Sequence, residues 1–273
     1  MTASWAQTHA ALRTDLLERV AAVLREDRRF VAAWLIGSFG RGEEDAFSDL
    51  DLVAVVTAPF AGVLCARPWS NAGRTTPERL ALICRFGAPV VIHEHHQNAV
   101  SLGMPEGTLT LVVFDSGVEL DLFLTPPTGI ERPADSRLLF DRAGIPQAPP
   151  PMAETADERR EALTTSVAFF WAMAVIAAKF WRRGWDWHVH AMLERLHATL
   201  ANVRRLIAGD AHRYARTSPI RLEPSSAAQA AALRALCDEM EALMPAAAHL
   251  GADVPAGARA LVDRWLSEPS WTA

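Results

Sequence analysis

Few cysteines, little net charge and no long apolar stretch mark this chain, and each scarcity closes off a class of protein. Its 273 residues hold only Cys65, Cys84 and Cys237, far apart and without CxxC spacing. Neither a disulfide framework nor a cysteine-based zinc site is expected, and reduced thiols in a cytoplasm are. The formal net charge of -5 lacks the basic footprint that a dedicated phosphate-backbone binder needs, so nucleic acid has no support as a partner. The N-terminal stretch MTASWAQTHAALRTDLLERV has no apolar core of a secretory signal. The most apolar run, Val167 to Ala178, is too short to span about 30 Å of hydrocarbon and reads as a buried helix, so no membrane partner is expected. No internal repeat at a fixed period is found.

What remains is an ordinary globular composition, half hydrophobic, with 17 prolines and 15 glycines, in a chain long enough for two domains. Leu12, Leu16, Leu17, Val20, Val23 and Leu24 recur at helical spacing and predict an opening helix. Short apolar runs follow at Val31–Ile36, Leu50–Val56, Pro89–His93, Leu109–Phe114 and Val118–Leu124, the last two joined by Asp115-Ser116-Gly117 as a hairpin. Thr76 and Pro77 open a helix between the second and third runs. Pro146, Pro149, Pro150 and Pro151 then form a semi-rigid linker. Beyond it the pattern is helical throughout: Thr155 and Glu158 have capping-box spacing ahead of a helix reaching about Arg183, Gly184 and Gly209 are stops, and later helices fall near Ser226–Met244 and Ala256–Leu266. The expected fold class is α+β, a mixed twisted sheet with flanking helices over residues 1–145, followed by an all-α bundle over 152–273.

Two acidic patterns carry chemistry. In Ser48-Asp49-Leu50-Asp51-Leu52, the two-residue period of a strand puts Asp49 and Asp51 on one face. In Glu119-Leu120-Asp121-Leu122 the same period aligns Glu119 with Asp121. Like charges this close raise each other's pKa unless a cation lies between them, and oxygen ligands suit Mg²⁺. Upstream, Gly37-Ser38-Phe39-Gly40-Arg41-Gly42 ends a strand in a small-residue turn able to face phosphate. Arg41 could pair with triphosphate oxygens or with Glu43, Glu44 or Asp45.

Together these motifs resemble the DNA polymerase beta-like nucleotidyltransferase superfamily, whose signature is a strand, Gly-Ser, roughly ten residues, then Asp-hydrophobic-Asp-hydrophobic. Gly37, Ser38, Asp49 and Asp51 match it, and the resemblance is specific from Val31 to Leu124. It implies that Gly37 and Ser38 touch a nucleoside triphosphate, expected to be ATP, and that Asp49 and Asp51 bind two Mg²⁺ ions. A third carboxylate on a later strand would complete the metal set and help activate an attacking hydroxyl. Asp121 is the match, with Glu119 as the alternative or as an assisting base. The helical region after the sheet resembles the arrangement in aminoglycoside and lincosamide nucleotidyltransferases, which implies a small-molecule hydroxyl acceptor and a possible homodimer. Two other readings stay open: an enzyme of antitoxin type or one modifying protein or RNA, and an inactive nucleotide-binding module.

Lesser signals have blander readings. His93-Glu94-His95-His96 is expected to be a polar strand end at the mouth of the site, with Glu94 a remote candidate base, rather than a zinc cluster. His188 and His190 sit two apart in a helix and cannot share a face. The tryptophans at 171, 181, 185 and 187 are expected in the core. Arg205 and His212 have a loose spacing of the kind found in helical ribonucleases, which also occurs by chance.

Overall fold

Leu50, Leu52, Ala54 and Val56 alternate with Asp51, Val53 and Val55, and apart from Asp51 every position in the run is buried. A strand with so little polar surface belongs in the middle of a sheet. In the computed structural model, which describes residues 4–66, 75–95, 107–211 and 225–267, it does. The chain divides into two compact units, Met1–Pro150 and Pro151–Ala273.

The first unit runs α1 (Trp5–Glu26), β1 (Phe30–Leu35), α2 (Gly37–Arg41), β2 (Leu50–Val56), α3 (Ala58–Leu64), α4 (Pro77–Phe86), β3 (Pro89–His95), β4 (Thr108–Phe114), β5 (Glu119–Thr125) and β6 (Arg137–Asp141). These strands form one sheet in the order β3-β4-β5-β2-β1-β6. β2 and β5 run parallel and all other neighbours antiparallel. One face carries the main core, where Leu16, Val20 and Leu24 of α1 and Leu82, Ile83 and Phe86 of α4 meet Leu50, Leu52, Leu120 and Leu122. On the other face Trp34, Val53, Val55, Leu109 and Phe123 form a smaller cluster with Ile130 from the segment after β5.

Two elements were not expected from the sequence, α3 and β6. α3 is seven residues long and β6 five, and β6 is half exposed, so neither shows a full period of apolar positions. Residues 146–148 also belong with the first unit rather than with a free linker: Arg132 donates its N–H to Pro146 O and its carbonyl accepts from Ala148 N.

The second unit holds α5 (Ala156–Arg182), α6 (Asp186–Ala208), α7 (Ser226–His249) and α8 (Ala258–Ser267), which with the first unit makes eight helices among the described residues. Thr155 and Glu158 form a complete capping box on α5, and Gly184 and Gly209 adopt positive φ after α5 and α6. α5 is long and apolar enough to cross a membrane by length and composition, yet its Leu163, Val167, Phe170, Ala174 and Ala177 are buried in this unit's own core. α7 does not end at Met244. Pro245 lacks an N–H, but Ala246, Ala247 and Ala248 continue the helix, and Ala247 is buried in the core.

Candidate active site

The end of β1 and the start of β2 are drawn together by a main-chain bond, Ile36 N–H to Asp51 O at 3.0 Å. Gly37 follows with φ of +62°, and a Cβ at this position would lie 2.0 Å from Asp51 Oδ2. The Asp51 carboxylate therefore rests directly against the Gly37 backbone, a contact that only glycine permits. A Cβ on Gly40 would come within 2.6 Å of Asp135 O and 3.0 Å of Leu35 O. Two glycines thus let α2 sit down on the strand ends. Between them Ser38 keeps a buried hydroxyl with no hydrogen-bond partner.

From Gly42, left-handed at φ +68°, the chain turns into a loop that leads to Asp49. Asp45 Oδ1 accepts from Phe47 N at 2.9 Å and from Ser48 Oγ at 3.1 Å, while Ser48 Oγ accepts from Asp45 N at 2.9 Å. The buried guanidinium of Arg13, on α1, donates to Asp45 O at 2.7 Å and Ser48 O at 2.8 Å. The same guanidinium stands 4.7 Å over the Phe39 ring, with Arg137 at 5.1 Å. Asp49 follows immediately, exposed, one residue before β2 begins.

On the parallel pair β2 and β5, Asp51 is the register partner of Asp121, and Leu50 of Leu120. Opposite residues on neighbouring strands point to the same side of a sheet about 4.8 Å apart. Asp51 and Asp121 form one rung on that face, and Asp49 and Glu119 each stand one residue before the Leu50–Leu120 pair. Burial, then the charge of Asp49, pushes the Asp51 carboxyl up to about 6; Arg41 pulls it back and Glu119 adds to the rise. Asp121 is pushed up to about 6 by burial first and then by Asp51, Glu119 and Asp49. Asp121 Oδ1 is buried with no hydrogen-bond partner. The four acids of the two motifs thus feel one another as a single negative site.

The donor set fits Mg²⁺: hard carboxylate oxygens, two of the carboxyls raised in pKa by burial and then by their neighbours, and one with an orphaned oxygen. Among the described residues, no group of three or more His, Cys, Asp or Glu side chains is arranged to hold a metal ion. Mg²⁺ does not require one, because it keeps several waters and is commonly held by one or two carboxylates together with substrate phosphates. Arg41 pairs with Glu43 at 3.0 Å, one of the acids expected for it, and its charge also acts on Asp51.

Other residues singled out in the sequence lie elsewhere. Glu94 is neither at the mouth of the site nor placed as a base. It is buried on the opposite face, where Arg79 Nε approaches Oε1 at 3.2 Å and Thr110 Oγ1 donates to Oε2 at 3.1 Å. His93 is exposed and pairs in register with Leu111, which pairs with Asp121, so the row His93, Leu111, Asp121, Asp51 crosses the open face. Arg205 forks onto Glu154 at 2.8 and 3.1 Å and also bonds Asn202, a structural clamp at the end of α6. His96 and His212 lie outside the described residues. Trp171 is in the core, but Trp185 and Trp187, at the start of α6, are 46% and 86% exposed. Arg13 and Phe39 were invisible as site residues in the sequence; the signal of Arg13 is its contact with carbonyls 32 and 35 residues away, and that of Phe39 is its ring under the same guanidinium.

No family model and no curated protein matches this chain. Among solved structures it is similar to an aminoglycoside 6-adenyltransferase from Bacillus subtilis, at 13% identity and a TM-score of 0.34 over 98% of this chain and 100% of that one.

Proposed function

We propose that this protein transfers a nucleoside monophosphate from a nucleoside triphosphate, ATP being the expected donor, to a hydroxyl group of a small molecule in the cytoplasm. The carrying observation is the Asp51–Asp121 rung lying directly under the Gly37–Ser38 turn. Asp49, Asp51 and Asp121 would hold Mg²⁺, which supplies charge neutralisation on the triphosphate and orients it for in-line displacement. Gly37 and Ser38 offer backbone and a buried hydroxyl to phosphate oxygens. Asp121, or Glu119 beside it, accepts the acceptor's hydroxyl proton as that oxygen bonds to the α-phosphorus and the bond to pyrophosphate breaks.

The acceptor class to examine first is the aminoglycosides and lincosamides, from the resemblance of the motif and its following helical unit. The test is pyrophosphate release with ATP, GTP, CTP and UTP plus Mg²⁺ across a panel of these drugs, for the native chain and Asp51→Asn. Release that needs both one drug and Asp51 is expected. Release that persists in Asp51→Asn contradicts the carboxylate mechanism, and silence with triphosphate still bound shifts the acceptor to a protein or an RNA.

A further inference from the structure

The loop that delivers Asp49 carries a charge problem. Glu43, Glu44, Asp45 and Asp49 lie within seven residues, beside Asp51, Glu119 and Asp121, and like charges so placed push the loop outward. Three arginines oppose this. Arg41 pairs with Glu43 at 3.0 Å, and Arg137 approaches Glu44 at 3.5 Å; both bind carboxylates. Arg13 acts differently, donating to the main-chain carbonyls of Asp45 and Ser48, one on each side of the turn. His9 Nδ1, one helical turn earlier on α1, lies 3.0 Å from Ala46 O. A cation that grips backbone fixes the loop without consuming any acid side chain, so the carboxylates remain available to a metal ion.

We infer that Arg13 is the positioning residue for Asp49: its guanidinium, buried on α1 and stacked on Phe39 of the phosphate turn, sets the distance between Asp49 and the Asp51–Asp121 rung. One side chain thereby locks three parts of the site together: α1, α2 through the Phe39 ring at 4.7 Å, and the turn before Asp49. The inference rests on the metal-binding reading of the carboxylates. Groups that orient metal ligands without touching the ion change metal affinity by about 10- to 100-fold when removed.

The test is Mn²⁺ binding to the full chain, read from the electron paramagnetic resonance of free Mn²⁺ at pH 7.5 and at a temperature where circular dichroism shows every variant folded. Native chain, Asp51→Asn, Asp49→Asn, Arg13→Met, Arg13→Lys and the Arg13→Met/Asp49→Asn double variant are compared. The expectation is binding by the native chain, loss in Asp51→Asn, about tenfold weaker binding in Arg13→Met, and an intermediate value for Arg13→Lys, which keeps charge but not the two-pronged donor. If Arg13→Met fails to fold, the lysine variant carries the comparison. In the Asp49→Asn background Arg13→Met should have no further effect, because its influence runs through Asp49. Native binding with unchanged affinity in both Arg13 variants, or an equal loss with and without Asp49, overturns the positioning role alone. No Mn²⁺ binding by the native chain overturns the metal reading and this inference with it.

Discussion

A methyl group at position 37 would stand 2.0 Å from a carboxylate oxygen of Asp51, at a backbone angle that L side chains rarely adopt. Gly37→Ala should therefore push Asp51 off the rung and cost about 1–3 kcal/mol in stability from backbone strain alone. Urea denaturation measures it, and a loss under about 0.5 kcal/mol would show that the turn relaxes freely. The raised carboxyls predict the opposite sign at Asp51. With folded pKa values near 6 against 3.8, the folded chain binds more protons than the unfolded chain between roughly pH 4 and 6, so stability falls as pH rises through that window. Asp51→Asn removes one contributor. It should melt about 2–4 °C above the native chain at pH 7.5 and converge with it near pH 4, whereas a native chain that is the more stable at pH 7.5 contradicts the electrostatic account. Gly37, Ser38, Asp49 and Asp51 were legible as motif because turn glycines and strand alternation are local. Arg13 was not: on α1 it reads as one more polar helix position, and its partners lie 32 and 35 residues away.

Among the elements, the parallel β2–β5 pair does most to build the site, since it converts two separate acidic motifs into adjacent rungs. Each strand was legible; the register that sets Asp51 opposite Asp121 was not, because alternation fixes which face a residue takes and not which residue it meets. The Glu94 error has the same origin. Alternation correctly separated it from His93, but only α4 packing on that face turns a strand-end acid into the partner of buried Arg79, which also donates to Leu64 O at 3.3 Å and Ala66 O at 3.0 Å. Arg79→Met leaves the Glu94 charge buried, with the Thr110 hydroxyl still donating to it, and should destabilise the first unit by about 3–5 kcal/mol. Glu94→Gln, which keeps hydrogen-bonding capacity, should cost less. Chemical denaturation orders the two, and a larger loss in Glu94→Gln would contradict the pairing as drawn.

Across the whole molecule, the proline-rich stretch near 146–151 marks the change from sheet to helices, and the units meet in sequence at Pro150–Pro151. Composition and hydrophobic period both change there. The two units have separate cores, so damage to one should leave the other's chemistry intact. Thr155→Ala breaks the capping box of α5 and should cost the helical unit about 1 kcal/mol. Mg²⁺-dependent triphosphate binding should not change, as isothermal titration calorimetry would show; a matching loss of binding would mean that the helical unit shapes the triphosphate site.

Asp51, against Gly37, and Asp121 beside it are proposed to hold a divalent cation. A crystal soaked in Mn²⁺ and a triphosphate, measured for anomalous scattering, tests this most directly. A peak is expected about 2.1 Å from carboxylate oxygens of both Asp51 and Asp121, bridged to phosphate. Triphosphate bound with no peak at the rung, or a peak held only by residues outside it, would contradict the account.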